Sequence, residues 1–151
     1  QAENLMMVDL IRNDVSRVSE PHSVRVSRLF EARTLSSVHQ VASVIDSTLR
    51  SDVDAYALTI ALFPCGSVVG ASKAKAFELI QMLESDARGI YTGSLGLMKP
   101  SGDMTFSVAI RTIEQRGEQV ILGLGSGLVA DSELKDEWAE CLLKGRFAGV
   151  A

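Results

Sequence analysis

The sequence predicts an α+β fold. Three observations carry this expectation. Apolar residues recur at helical spacing in several stretches, among them Met6, Met7, Leu10 and Ile11. Short apolar/polar alternations lie elsewhere, as in Phe106, Val108 and Ile110 against Ser107, Ala109 and Arg111. Lys99-Pro100-Ser101-Gly102-Asp103 and Arg116-Gly117 are hairpin-type turns between such alternations. Antiparallel hairpins with helices packed on the sheet accommodate all three.

In chain order, a helix is expected from Glu3 to Val18, closing near Asn13-Asp14. Val24, Val26 and Leu29 then alternate as in a half-buried strand, with Phe30 and Ala32 extending it. Ser36 or Ser37 is placed to cap a helix with Val38, Val41, Val44, Ile45 and Leu49 on its inner face. Asp54 to Leu62 reads as a short helix, and Pro64-Cys65-Gly66-Ser67 breaks the pattern. Gly70 to Ser72 leads into a helix striped by Ala76, Leu79, Ile80 and Leu83. A strand through Tyr91 and Leu97, one through Phe106 to Ile110 with Arg111 on the opposite face, and one from Gln119 to Leu124 follow. The last helix runs from Ser132 to about Phe147, capped by Asp131 or Ser132, with Trp138, Cys141 and Leu142 turned to the core. The whole reads as one domain, 1–151.

Composition bounds the function. Hydrophobic residues make up 46% and charged ones 23%, an ordinary globular balance. The net charge of -4 comes from interspersed residues, so there is no basic stripe to neutralise nucleic-acid phosphates and no nucleic-acid partner is expected. No apolar run matches a bilayer and no signal peptide opens the chain, so no membrane partner and a cytoplasmic location are expected. Cys65 and Cys141 lack metal-like spacing and read as free thiols. Gln1 runs into a helical pattern with no cap ahead of it, which reads as a piece of a longer protein.

Chemistry concentrates near the end of the chain. Glu137, Glu140 and Lys144 fall along one helix face. Two carboxylates one turn apart suit a hard divalent cation, although a solvated Glu/Lys face has the same spacing. Gly123-Leu124-Gly125-Ser126-Gly127 lets backbone N–H groups approach an anion, or forms a bulged turn. Cys65 to Lys73 is a second glycine-rich approach to a helix start, with a lysine at its end. Arg111 can grip a carboxylate through two parallel N–H bonds, or lie on a solvated strand face. His22 and His39 form no arrangement for nucleophilic catalysis.

Six segments in order resemble the chorismate-binding enzymes over nearly the whole chain. Ala2 to Asp14 resembles "AENLMIVDLxRND", and Phe63 to Lys73 resembles "FPxGSITGAPK". Arg88 to Ser94 resembles "RGxYxGSIG", and Ala109-Ile110-Arg111-Thr112 matches "AIRT". Gly125 to Ser132 resembles "GGGIVADS", and Glu137 to Lys144 matches "E-x-x-E-x-x-x-K". Val69 stands where that family has threonine, and Ser72 where it has proline.

The resemblance implies the C-terminal part of the chorismate-utilising fold, antiparallel sheets sandwiched by helices. It implies Mg²⁺ held by Glu3 and Glu140, with Glu137 near it. Tyr91 and Arg111 would meet the enolpyruvyl carboxylate of chorismate. The backbone of Gly125, Ser126 and Gly127 would receive carboxylate oxygens of the substrate, with Lys144 close by. Gln40 stands where anthranilate synthases carry a histidine that assists aromatisation. With Cys65 and the Glu140–Lys144 ending, it looks more like the aminodeoxychorismate synthase component I type, so Gln40 and Lys144 are the expected catalytic positions. Ammonia would come from a glutamine amidotransferase partner. A lysine nucleophile and a partner carboxylate for Glu3 would lie upstream of Gln1, so the piece alone is expected to be inactive and to self-associate through uncovered sheet. Anthranilate synthase component I and a non-catalytic truncated module are the alternatives.

Overall fold

The computed structural model describes residues 2–34 and 39–149, with side chains from Asn4 onward. The chain divides into two compact units, 1–76 and 77–151. The elements run α1 (Ala2–Ser16), β1 (Arg25–Thr34), β2 (His39–Asp46), α2 (Ala55–Leu62), α3 (Gly66–Val69), α4 (Lys73–Leu83), β3 (Ser94–Met98), β4 (Met104–Val108), β5 (Ile113–Arg116), β6 (Gln119–Leu122) and α5 (Leu134–Gly145). Among the described residues there are three antiparallel hairpins: β1–β2 lies between α1 and α2 in chain order, and β3–β4 and β5–β6 follow one another between α4 and α5. This is the α+β fold expected. No single helix among the described residues is long and apolar enough to cross a membrane.

In the first unit, α1 packs on α2, α3 and β2. Val8, Val18 and Ala61 are its buried apolar residues. Asp14, 7% exposed, takes the Lys73 ammonium at 2.5 Å and so ties α1 to the start of α4. The α2 helix begins at Asp54, whose carboxylate accepts from the Ala57 N–H at 2.7 Å and so satisfies one of the free donors at the helix start. The Ser43 hydroxyl of β2 donates to Asn4 Oδ1 at 3.1 Å and accepts from the Phe30 N–H at 3.2 Å, joining α1 to both strands.

The helix expected from Ser36 to Leu49 is instead β2, paired with β1 from Arg25↔Asp46 to Thr34↔His39. Its proposed cap and first residues, 35–38, lie outside the described residues. Val41, Val44 and Ile45 satisfy a helical stripe, yet β-branched side chains lose χ1 freedom in a helix and fit a pleated surface. Pairing with β1 decides the outcome.

In the second unit, the β3–β4 hairpin turns at Lys99–Asp103, where the Lys99 N–H bonds the Asp103 carbonyl at 2.9 Å. The strand expected through Tyr91 begins only at Ser94, because 88–93 forms a turn with Gly89 and Thr92 at positive φ. The strand expected to carry Arg111 ends at Val108, and Arg111 itself has φ 52. Trp138, expected in the core, is 64% exposed.

Candidate active site

Tyr91 is held by a local fold. Its N–H bonds the Arg88 carbonyl at 3.1 Å, and the Gly93 N–H bonds the Ile90 carbonyl at 2.8 Å. The turn docks on the chain after β4, where the Thr92 N–H meets the Ala109 carbonyl and the Ala109 N–H meets the Gly93 carbonyl, both at 2.9 Å. Ala109 is the most buried core residue, 2% exposed. Thr92 (φ 61), which donates one of these two hydrogen bonds, and Arg111 (φ 52), two residues after Ala109, are in left-handed backbone. Non-glycine residues there carry about 1–3 kcal/mol of strain each, and such strain concentrates at binding and catalytic sites.

The Tyr91 ring lies across Gly123, where a Cβ would stand 2.3 Å from the ring Cγ. Its hydroxyl lies over Gly125, where a Cβ would stand 2.6 Å away. The two glycines thus form the floor on which the phenol rests. Burial raises the Tyr91 pKa against the opposing pull of Arg88 and Lys144, so the hydroxyl is protonated at neutral pH and available to donate.

The glycine run meets α5 through Lys144. Its ammonium donates to the Gly125 carbonyl at 2.9 Å and pairs with Glu140 Oε1 at 2.6 Å. Lys144 is therefore anchored between the run and the helix, rather than spread on a solvated face. Among the described residues, the N–H groups of Gly125, Ser126 and Gly127 have no hydrogen-bond partner. Free donors and an ammonium together suit a carboxylate, and the protonated phenol beside them is a further donor for an anionic ligand.

Glu137 lies one turn before Glu140. The Ser126 and Ser132 hydroxyls hold its carboxyl below the usual carboxylate range. Of the two, Ser132 completes the bond, at 2.5 Å to Oε1. Oε2 is buried with no hydrogen-bond partner among the described residues. An ionised oxygen orphaned in this way suits a cation. Among the described residues no three His, Cys, Asp or Glu side chains converge on one point. The donor set on α5 is two carboxylates, which fits an ion that keeps water and substrate oxygens as its other ligands.

Of the residues expected at the site, Tyr91, Gly125, Ser126, Gly127, Glu137, Glu140 and Lys144 cluster in the second unit, and Arg111 lies beside the Thr92–Ala109 contact in the same unit. Glu3 is in the first turn of α1, and its side chain lies outside the described residues. Gln40, expected on a helix, is exposed on β2 opposite Arg33. Sequence reasoning overlooked Arg88 and treated Ser132 only as a cap, whereas α5 starts at Leu134 after an N-cap at Glu133. The Glu84–Arg88 spacing of four residues was a legible signal for the first.

A family model described as "chorismate binding enzyme" matches residues 1–148. Over 97% of its length the chain is 40% identical to "Anthranilate synthase component 1" of Aquifex aeolicus, covering 30% of that protein. Over 93% of its length it is 42% identical to "Aminodeoxychorismate synthase component 1" of Klebsiella aerogenes, covering 31% of that protein. The chain thus spans less than a third of either relative. The crystal structure of anthranilate synthase component I from Streptococcus pneumoniae superimposes with a TM-score of 0.84 at 34% identity, over 96% of this chain and 33% of that one.

Proposed function

Because this chain belongs to the chorismate-binding enzyme family, we propose that it supplies the substrate-carboxylate half of a site that converts chorismate and ammonia into 4-amino-4-deoxychorismate. The C4–O bond of chorismate breaks, a C4–N bond forms, and water leaves, while the enolpyruvyl group stays in place. The observation that carries this reading is the convergence of Tyr91, Gly125 and Lys144 beside the two carboxylates of α5. Chorismate is a dianion, and one carboxylate can be received by the free N–H groups of Gly125 to Gly127 with the Lys144 ammonium beside them. Tyr91 donates its hydroxyl and Arg111 its guanidinium to the enolpyruvyl carboxylate.

Glu137 and Glu140 would hold Mg²⁺, which would neutralise substrate carboxylate charge and assist departure of the C4 oxygen. The chain's own residues prepare that site. Ser132 and Ser126 keep Glu137 ionised, and Lys144 orients Glu140.

Gln40 favours the amino product over anthranilate. An amide at neutral pH neither accepts nor releases a proton, so it is no base for the aromatisation that accompanies pyruvate loss. Ammonia would arrive from a glutamine amidotransferase in the cytoplasm. Product analysis with chorismate, ammonia and Mg²⁺ tests this on the longest natural chain carrying the segment. Aminodeoxychorismate without pyruvate is expected. Fluorescent anthranilate together with pyruvate would overturn the assignment in favour of the anthranilate reading.

A further inference from the structure

Arg88 has no role in the site as described so far, yet its side chain meets Glu84, Thr92 and the Tyr91 ring. Its Nε and Nη2 donate to the two carboxylate oxygens of Glu84 at 2.8 and 2.6 Å, a two-pronged grip that fixes the guanidinium plane. The remaining nitrogen, Nη1, donates to Thr92 Oγ1 at 3.2 Å. The guanidinium carbon stands 5.6 Å from the centre of the Tyr91 ring, within cation–π range. Its side chain is only 24% exposed. A single planar group thus holds the left-handed Thr92 by its hydroxyl and stands over the Tyr91 ring that rests on Gly123 and Gly125.

We propose that Arg88 is a positioning residue for Tyr91: its fork, fixed by Glu84, locks Thr92 in left-handed backbone and keeps the phenol seated over Gly123 and Gly125. Lysine cannot replace it, because one ammonium has no planar fork to serve Glu84 and Thr92 together while covering the ring. The Glu84 carboxyl is drawn below its ordinary range chiefly by the Arg88 hydrogen bonds, so the grip is intact at neutral pH.

The test uses this 151-residue chain with Tyr56→Phe, which leaves Tyr91 as its only tyrosine. Phenol ionisation is followed by near-ultraviolet absorbance, and folding by Trp138 fluorescence. Arg88→Gln is expected to bring the Tyr91 ionisation down towards that of free tyrosine as the ring leaves its seat and meets water. Arg88→Lys is expected to behave alike. A mere charged neighbour would act otherwise: its loss would raise the ionisation of a ring still buried, and lysine would restore it. Either that pattern or no change overturns the proposal. Glu84→Gln frees the fork while keeping the cation. It is expected to shift the ionisation in the same direction by less, and it decides the matter should Arg88→Gln fail to fold.

The consequence for ligand binding rests on the reading of Tyr91 as a substrate contact. Chorismate affinity is then expected to fall about tenfold in Arg88→Gln and in Tyr91→Phe, the loss of one good hydrogen bond. An unseated ring with unchanged chorismate affinity in both variants would retire the substrate reading and leave the positioning role standing.

Discussion

At Gly123 a methyl group would overlap the Tyr91 ring, which is rigid and already pressed against the turn that carries it. Gly123→Ala is therefore expected to destabilise the second unit by about 1–3 kcal/mol, the usual range for overpacking. Denaturant midpoints check this, and adding Tyr91→Ala should recover part of the loss by vacating the space. Gly125→Ala meets only the phenol oxygen, so its effect should fall on position rather than on stability. Chorismate affinity drops while the midpoint hardly moves, which isothermal titration and denaturation separate. The positive φ at Thr92 and Arg111 was invisible in the sequence, because nothing in the residue types of either demands it. Tyr91 and Arg111 were named as site residues through the resemblance, and their placement outside the strands was not legible.

The start of α5 concentrates the acid-sensitive part of the site. Glu137 has a folded pKa lowered below 4.5 by the Ser126 and Ser132 hydroxyls. A group lowered in this way contributes stability above 4.5 and loses it as pH falls through the folded value. Ser132→Ala removes the 2.5 Å bond to Oε1, so the Glu137 pKa is expected to move back up and the acid limb of unfolding to weaken. Carboxyl-selective NMR titration reads the first effect, and unfolding across pH 3 to 5, around the ordinary carboxylate range, reads the second. Helices α1, α2 and α4 were legible because their apolar residues recur at helical spacing. The segment from His39 to Asp46 was not, because Val41, Val44 and Ile45 fit the helical spacing and not a strand's alternation, and only pairing with the distant strand Arg25–Thr34 overrides it. Gln40 consequently sits on a strand although its identity as a site position came from the resemblance alone.

Across the whole molecule, buried apolar residues among those described are few: Val8, Val18, Ala61 and Ala109. Large apolar side chains stay in water, including Leu128 at 79%, Leu134 at 83% and Trp138 at 64%. Patches of this kind seek a cover. The chain is expected to self-associate at micromolar concentration and to bind an apolar reporter dye, which sedimentation velocity and dye fluorescence measure. A monomer at every concentration, dark to the dye, would contradict that expectation. Spanning less than a third of these relatives' lengths, it is also expected to show no turnover of chorismate by itself; product appearing from the purified chain would refute this. The seat of Tyr91 bears on how such a protein can change over time. A ring resting on two absent side chains makes positions 91, 123 and 125 a single heritable unit. A library that randomises the three together should return tyrosine only in clones that keep both glycines, whereas stepwise drift at either glycine meets a barrier before any alternative ring can be tried.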